Sequence, residues 1–312
     1  MVRRILVTGG AGNVGGSLVR RLIQEPDAVV TVVDNLLTGH LGNLPQEGVG
    51  KWRFVKADVN DWHDIAPVFA AGGFDYVFHY AAVVGVQRTL KNPVMVLQDI
   101  YGIENILKLS KSVGVKRVFF SSSSEVYGEP VELPQVEATT PLNSRLPYAI
   151  VKNVGEAFFR SYQQEFGLDY TLLRFFNTYG PIQSKDFVVS KFIQLSLAGE
   201  DITVFGDGQQ TRTYCHISDN LDFTLRLLNE GLGINQTFNV GSDKEFTVLE
   251  LAQEVIRLTN SDSQIVHLPA LADGDMRRRK PDISRMMAIM NRELMPLEEG
   301  LLDCISSIKG AS

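Results

Sequence analysis

The sequence has few cysteines and no apolar run of membrane-spanning length. Only two of its 312 residues are cysteines, Cys215 and Cys304, and their separation matches no metal-ligand spacing. We therefore expect two reduced thiols rather than a disulfide framework or a metal site. The start, MVRRILVTGG, has too short an apolar run for a signal peptide. These absences predict a soluble, cytoplasmic protein.

The sequence also lacks an excess of basic charge. The chain has 30 Lys and Arg residues against 36 Asp and Glu residues, a formal net charge of −6 at pH 7. This balance gives no reason to expect nucleic acid or an anionic membrane as a partner. The compact basic run RRRK, at 277–280, can still hold a small anion locally.

Strand-like and helix-like segments alternate through the first half of the chain. The strand-like segments are RRILVTGG, AVVTVVD, WRFVKADV, FDYVFHYAA, VKRVFFSSS and DYTLLRFFN. Helical stretches lie between them, including MVLQDIYGIENILKLSKSVG and YAIVKNVGEAFFRSYQQEFG. This alternation predicts an α/β protein with a Rossmann-like, doubly wound parallel sheet.

The alternation becomes less regular from about Gly180 onward. We expect a smaller α/β substrate-binding lobe there, interleaved with the sheet domain. The sheet domain is predicted to span 1–175 and about 205–240, and the lobe to span 176–204 and 241–312.

A glycine-rich turn follows the first predicted strand. In ILVTGGAGNVGG, Gly9, Gly12 and Gly15 have the spacing of a dinucleotide-binding fingerprint. Residues without a Cβ let the backbone turn tightly and approach a pyrophosphate, which binds the free N–H groups of the helix N-terminus. The strand before the turn and the helix after it are the context that this motif requires.

The end of the second predicted strand indicates which dinucleotide binds. Asp34, followed by Asn35, can accept hydrogen bonds from both adenosine ribose hydroxyls, and its charge repels a 2′-phosphate. NAD is therefore predicted rather than NADP. Asp58 and Val59 follow the third strand, where they either cover the adenine or only form a turn.

Two side chains of one predicted helix form a candidate catalytic pair. Tyr148 and Lys152, in YAIVK, share a helix face because they are four residues apart. A lysine ammonium beside a phenol favours the phenolate and lowers the tyrosine pKa toward neutrality. Upstream, SSSSEVYG continues an apolar strand, at the sheet edge where ligands bind in such folds.

The chain resembles the extended short-chain dehydrogenase/reductase family, which includes the sugar-nucleotide epimerases, dehydratases and decarboxylases. The motifs that carry the resemblance are TGGAGNVG, DN at 34–35, HYAA at 79–82, SSSSEVYG, YAIVK, RFFNTYGP, VFGDGQQTRTY, FNVGS and RRRKPDI. They cover essentially the whole chain. The resemblance implies bound NAD, transient oxidation of C4 of a nucleotide sugar (a UDP-sugar is favoured), and a homodimer formed through two helices.

The resemblance also implies a role for each matching residue. Ser123 would hydrogen-bond the sugar O4 beside Tyr148, which takes the hydroxyl proton, while Lys152 binds the nicotinamide ribose. The further cofactor-binding residues are Asn13, Val14, Asn35, Asp58, Val59, Ala81, Ser121, Tyr148 and Phe175. The substrate-binding residues are Ser123, Ser124, Asn177, Arg212 and Arg278, with Arg277 and Arg279 as alternatives to Arg278.

Glu125 is relevant to the reaction step after C4 oxidation. Decarboxylases and some 4,6-dehydratases of this type carry a glutamate there, which could remove the C5 proton or could only bond to the backbone. Other positions differ from both groups. The decarboxylases typically have an acidic pair where this chain has Ala149 and Ile150, and the dehydratases have an aspartate where it has Ser124.

These signals rank the possible reactions. Epimerisation at C4 of a UDP-hexose or UDP-uronic acid is the leading prediction, because it requires only Ser123, Tyr148, Lys152 and NAD. UDP-glucuronate decarboxylation comes second and 4,6-dehydration third. A non-catalytic NAD-binding protein is the alternative from another class, and the retention of Tyr148 and Lys152 argues against it.

Overall fold

The structure is a computed structural model that describes residues 2–270 and 278–311. The strands are β1 Arg3–Thr8, β2 Ala28–Asp34, β3 Trp52–Lys56, β4 Tyr76–His79, β5 Arg117–Ser123, β6 Asp169–Phe175, β7 Thr178–Tyr179, β8 Ile202–Phe205, β9 Thr211–Thr213, β10 Cys215–His216, β11 Gln236–Val240, β12 Glu245–Thr247 and β13 Ile265–Leu268. The helices are α1 Asn13–Leu22, α2 Trp62–Gly72, α3 Val86–Lys91, α4 Pro93–Leu97, α5 Asp99–Val113, α6 Pro147–Phe166, α7 Val188–Leu197, α8 Ile217–Asn229, α9 Val248–Thr259, α10 Ser284–Met290 and α11 Leu297–Ala311.

The chain divides into two units. The first comprises the residues up to Val126, Ser144–Arg174 and Leu225–Phe238. The second comprises Tyr127–Asn143, Phe175–Thr224 and the residues from Asn239 onward. The domain boundaries that we derived from the sequence stay a prediction.

A seven-stranded sheet is the centre of the first unit, with the strand order β11-β6-β5-β4-β1-β2-β3. The pairs β1–β2, β1–β4, β2–β3 and β4–β5 are parallel. All six strand segments predicted from the first half of the sequence are confirmed, because β-branched and aromatic residues at these positions pack on both faces of the sheet. The Rossmann-like fold class is confirmed with them.

The register of this sheet brings the candidate site to one edge. Thr8 of β1 pairs with Val33 of β2 and with His79 of β4, and His79 pairs with Phe120 of β5. The residues that follow these four positions therefore lie together at the carboxyl edge. They are Gly9, Asp34, Tyr80 and Ser121.

Helices α2, α5 and α6 cover the sheet and enclose an apolar core. Phe120 of β5 stacks on Phe159 of α6 with ring centroids 4.8 Å apart, and both side chains are fully buried. The single long helix predicted around MVLQDIYGIEN is instead two helices, α4 and α5, separated at Gln98. Within the described residues, no helix is long and apolar enough to cross a membrane.

The second unit has its own apolar core, formed by α7, α9 and α11 with short strand pairs. Those pairs are β7–β10, β8–β13 and β9–β12. Cys215 and Cys304 are buried free thiols in this unit, and burial raises the pKa of each. Neither thiol is therefore a reactive thiolate at neutral pH.

Candidate active site

The glycine-rich turn between β1 and α1 has a backbone that only glycine allows. Gly9 has a φ of 67°, and a Cβ there would lie 2.5 Å from the backbone nitrogen of Ala81. A Cβ at Gly15 would overlap the carbonyl oxygen of Gly9. Gly12 precedes α1 and gives its first turn no side-chain cap, so the N–H groups at Asn13 and Val14 remain available to an anion.

Asp34 stands at the end of β2 and is only 8% exposed. Its Oδ2 accepts a hydrogen bond from the Ala11 N–H at 2.9 Å, and its Oδ1 accepts one from the Leu36 N–H at 2.8 Å. Burial raises the pKa of the Asp34 carboxyl, and these two N–H donors oppose the rise. Each carboxylate oxygen keeps a lone pair for a further donor, such as a ribose hydroxyl.

The other residues assigned to the cofactor in this part of the chain lie along the same sheet edge. The Asn35 side chain donates to Asp58 Oδ2 at 3.0 Å, and Val59 beside it is buried. The Ala81 N–H donates to Thr8 Oγ1 at 3.4 Å.

The glycine-rich turn also holds a buried polar atom without a partner among the described residues, the side-chain Oδ1 of Asn13. These features fit NAD, with the turn holding the pyrophosphate and the β2 carboxylate holding the adenosine ribose.

We expect Asp34→Asn to weaken NAD binding about tenfold, because a neutral amide bonds to ribose hydroxyls less strongly than a carboxylate does. The ratio of NAD affinity to NADP affinity should fall as well, since the charge that repels a 2′-phosphate is lost. Equilibrium binding to nucleotide-free protein measures both affinities, and Asp27→Asn, just before β2, is the control. An unchanged ratio would contradict the role of Asp34.

Helix α6 brings Tyr148 and Lys152 to the end of β5. Lys152 Nζ lies 5.7 Å from the centroid of the Tyr148 ring and donates to Ser121 Oγ at 3.4 Å. Ser121 Oγ donates in turn to the His79 carbonyl oxygen at 3.3 Å. The structure therefore places Ser121, Tyr148 and Lys152 in one cluster, and their roles toward cofactor and substrate stay predictions.

Ser123, Ser124 and Glu125 follow in the same strand end. Ser123 is 8% exposed and Ser124 is 2% exposed. Ser123 Oγ accepts a hydrogen bond from the Glu125 backbone N–H at 3.2 Å, at the start of a 3₁₀ turn. That bond leaves the Ser123 hydroxyl hydrogen for another acceptor, such as a sugar oxygen. The serine run is thus the end of a sheet strand and not a linker.

The electrostatics around Lys152 favour a lysine that titrates near neutral pH. Lys152 is 2% exposed; burial lowers its pKa to about 8, and the nearby Asp99 carboxylate opposes the fall. Asp99 of α5 accepts hydrogen bonds from the Val83 N–H at 2.7 Å and from the Asn60 amide at 3.2 Å. Burial, and then the lysine charge, lower the pKa of His79 to about 3, so this imidazole is neutral.

Asp99→Asn is expected to shift the alkaline limb of the pH profile of kcat to lower pH, by about one unit. The carboxylate raises the pKa of Lys152, so its loss lowers that pKa further and the ammonium deprotonates earlier. The isosteric amide can still accept from the Val83 N–H, which preserves the local fold. Rates between about pH 6 and pH 10 at saturating substrate test this. A limb that stays in place or moves to higher pH would refute it.

Two residues assigned from the sequence lie where β6 ends, in the second unit. Phe175 is the last residue of β6. Asn177 has a φ of 38°, and its Nδ2 donates to the Thr213 carbonyl oxygen at 2.9 Å. Its own carbonyl oxygen accepts from the Cys215 N–H at 3.3 Å. Asn177 therefore shapes the turn into β7, and its contact with a substrate diphosphate stays a prediction.

Arginines of the second unit gather around the β9–β12 pair. Arg212 lies on β9 and donates to the Thr211 carbonyl oxygen at 2.7 Å. Arg278 forms a fork on the Glu245 carboxylate, with Nε at 3.1 Å and Nη2 at 3.0 Å. Lys280 Nζ lies 3.4 Å from the same carboxylate. Arg278 thus already has an anionic partner, and its role toward a diphosphate stays a prediction.

The alternatives to Arg278 in the basic run differ in position. Arg279 is 7% exposed, so its side chain is buried within the protein. Arg277 lies outside the described residues.

Several ionisable groups beside the candidate residues of each unit were not identified from the sequence. Asp99 and Glu245 stand in no recognisable motif, so only the fold reveals their partners. Glu156 could have been identified from the sequence. It lies four residues after Lys152, as Lys152 lies four residues after Tyr148, so the three side chains share one face of α6.

A family model described as the NAD-dependent epimerase/dehydratase family matches residues 5–241, which is most of the chain. The chain belongs to this family. Membership confirms the resemblance that the motifs indicated, with NAD as the cofactor. The protein is accordingly an NAD-dependent enzyme of the kind that acts on nucleotide sugars.

Proteins similar to this chain are named for three different reactions, which are decarboxylation, 4-epimerisation and 4,6-dehydration. UDP-glucuronic acid decarboxylase 6 of Arabidopsis thaliana is 38% identical over 310 residues, covering 96% of this chain and 86% of the relative. The UDP-glucose 4-epimerase of Thermotoga maritima, solved with UDP-glucose, is 32% identical with a TM-score of 0.91, covering 98% of this chain and 99% of that one. The dTDP-glucose 4,6-dehydratase of Streptomyces venezuelae, solved with NAD, is 27% identical with a TM-score of 0.90, covering 98% and 97%.

The fold is thus similar to that of a protein named as a 4-epimerase and to that of one named as a 4,6-dehydratase. The sequence motifs ranked 4-epimerisation first, whereas the decarboxylase relative has the highest sequence identity of these three proteins.

Proposed function

We propose that the protein oxidises C4 of a UDP-hexuronic acid and releases its C6 carboxylate as CO₂. The observation that carries this proposal is the 38% identity, over nearly the whole chain, to a protein named as a UDP-glucuronic acid decarboxylase. The Ser123, Ser124 and Glu125 sequence at the end of β5 supports it, because decarboxylases of this family carry a similar motif.

The first step is the removal of two hydrogens from C4 and its hydroxyl. Ser123 donates a hydrogen bond to O4, and the Tyr148 phenolate takes the O4 proton. The buried ammonium of Lys152 favours that phenolate. Bound NAD would supply a reversible hydride acceptor for C4.

Loss of CO₂ follows from the oxidation itself. Once C4 is a ketone, the C6 carboxylate is β to a carbonyl group, and the electron pair of the C5–C6 bond moves into that carbonyl as CO₂ leaves. C5 then takes up a proton, for which Glu125 is the candidate donor. Tyr148 would then return its proton to O4 as the C4 ketone is reduced again, which gives a UDP-pentose.

Epimerisation at C4 is the second candidate. The 32% identity to the Thermotoga maritima 4-epimerase supports it, as does Ala149–Ile150 in place of the acidic pair typical of decarboxylases. This reaction uses the same Ser123, Tyr148 and Lys152. It also requires the 4-keto sugar to rotate, so that its opposite face is reduced.

Proton NMR of reaction mixtures separates these functions. Purified protein is incubated with UDP-glucuronate, UDP-glucose, UDP-galactose, UDP-N-acetylglucosamine and dTDP-glucose, with Tyr148→Phe as the matched control. A UDP-pentose and CO₂ formed from UDP-glucuronate support the proposal. Interconversion of C4 epimers without CO₂ would replace it with epimerisation, and a 4-keto-6-deoxy product with dehydration. Turnover of none of these sugars would contradict all three.

We further propose a homodimer formed through α4, α5 and α6. These helices of the first unit expose apolar side chains that a surface helix usually buries: Val94 is 70% exposed, Tyr101 59%, Leu97 40% and Ile150 38%. Sedimentation equilibrium tests the assembly. Tyr101→Glu should give a monomer, whereas a monomeric wild type at micromolar concentration would refute the proposal.

A further inference from the structure

A buried ion pair lies behind the serine strand. Glu156 of α6 is 0% exposed and Arg174 of β6 is 2% exposed. Two charges out of water are costly unless they are paired with good geometry and further hydrogen bonds. This pair has both.

Four donors surround the Glu156 carboxylate. Arg174 binds it as a fork, with Nε 2.8 Å from Oε1 and Nη2 2.7 Å from Oε2. Ser122 Oγ donates to Oε1 at 2.6 Å, and Arg160 Nη2 lies 3.2 Å from Oε2. Burial would raise the pKa of Glu156, but Arg174, followed by Ser122, lowers it, so the carboxylate stays ionised.

These bonds join three elements at the level of the candidate catalytic residues. We call Glu156, Arg174 and Ser122 the Glu156 anchor. Ser122 lies between Ser121, which contacts Lys152, and Ser123, which is assigned to the sugar O4. Glu156 lies on the α6 face that carries Tyr148 and Lys152, because the three positions are spaced by four residues.

We propose that the Glu156 anchor positions α6 on β5, so that the Tyr148 phenol and the Ser123 hydroxyl meet the same substrate oxygen. The inference rests on the proposed function, which assigns both groups to O4. Apolar contacts are non-directional, so by themselves they specify the height and rotation of a helix on a strand less strictly than directed hydrogen bonds do. A charged fork plus a short hydroxyl bond fixes both the height and the rotation of α6. Glu156 and Arg174 touch no reacting atom in this scheme.

Ser122→Ala tests the anchor with little disturbance of the fold. It removes one donor and leaves the Glu156 carboxylate bonded to its two arginines. We expect kcat to fall about tenfold while KM changes less than about twofold, since misalignment affects the reacting geometry more than ground-state binding. Ser110→Ala is the matched control, because the buried Ser110 hydroxyl on α5 has no partner among the described residues.

A second variant removes the whole anchor and leaves only Arg160, whose side chain is 44% exposed to solvent, without its carboxylate partner. The triple change Ser122→Ala, Glu156→Leu, Arg174→Leu replaces all three polar partners by apolar groups, an exchange that can leave stability nearly unchanged. We expect kcat to fall about 30-fold, with NAD affinity and the melting temperature close to those of the wild type. If this variant does not fold, the Ser122→Ala result decides alone.

The readout separates failure of the anchor from failure of the proposed function. Single-turnover formation of reduced nicotinamide reports C4 oxidation whatever happens to the sugar afterwards. A wild type that oxidises no UDP-sugar fails the proposed function. A wild type that does, together with Ser122→Ala at wild-type kcat, overturns the anchor, and Glu156 and Arg174 are then a structural ion pair only. The anchor would also be overturned if Ser122→Ala kept the wild-type kcat and raised only KM, so that kcat/KM fell by the same factor.

Discussion

Tyr148→Phe is expected to lower kcat about 1,000-fold and to leave the fold and NAD binding intact, in line with the contribution of a general base. The change removes one oxygen, the one assigned to take the O4 proton. The half-buried Tyr148 ring packs against the core of the first unit, and phenylalanine keeps that packing. Initial rates with the preferred UDP-sugar, and single-turnover nicotinamide reduction, measure the loss.

Tyr162→Phe is the matched control for this experiment. Tyr162 also lies on α6 and packs against the same core, so its phenol is lost in a comparable setting. Burial raises the pKa of Tyr162, which makes it a poor base at neutral pH. Its substitution should change kcat less than about twofold. A Tyr148→Phe variant that keeps a fifth or more of the activity would remove Tyr148 from the mechanism.

The glycine turn, the carboxylate at the end of β2 and the Tyr–Lys pair could be predicted from the sequence, because short segments of chain determine their geometry. Gly15 is required because a Cβ there would overlap the backbone of Gly9, six residues earlier. Gly9 is required because a Cβ there would overlap the backbone of Ala81, just after the adjacent strand. Asp34 ends a strand whose burial is readable from AVVTVVD. Tyr148 and Lys152 share a face through helix geometry alone.

The partners of the buried charged residues Glu156, Arg174 and Asp99 could not be predicted in the same way. Arg174 stands in LLRFFN, an apolar strand in which an arginine has no visible partner, and Glu156 lies 18 residues earlier on a different element. Their pairing depends on which strands are neighbours and on the height at which α6 crosses them. Asp99 was missed for a related reason. It lies in the first turn of α5 but turns inward to the Val83 N–H and Lys152, and the helix predicted there as continuous breaks just before it.

The second large effect concerns Lys152, and it depends on pH. At pH 7 we expect Lys152→Met to lower kcat about 300-fold at saturating NAD, because the variant has no ammonium beside Tyr148 to favour the phenolate. Methionine keeps most of the apolar stem in a site where Lys152 Nζ also lies over the Phe120 ring, 4.8 Å from its centroid. Lys108→Met, on the surface of α5, is the control.

The pH profiles of the wild type and of Lys152→Met should converge as pH rises. Burial lowers the pKa of Lys152 to about 8, so the wild type loses the ammonium, and with it activity, above that pH. The variant has no ammonium to lose, and a rise in pH only favours its phenolate. The ratio of the two rates must therefore shrink on the alkaline side. A ratio that stays constant from neutral to alkaline pH would contradict an electrostatic effect of Lys152 on the Tyr148 phenol.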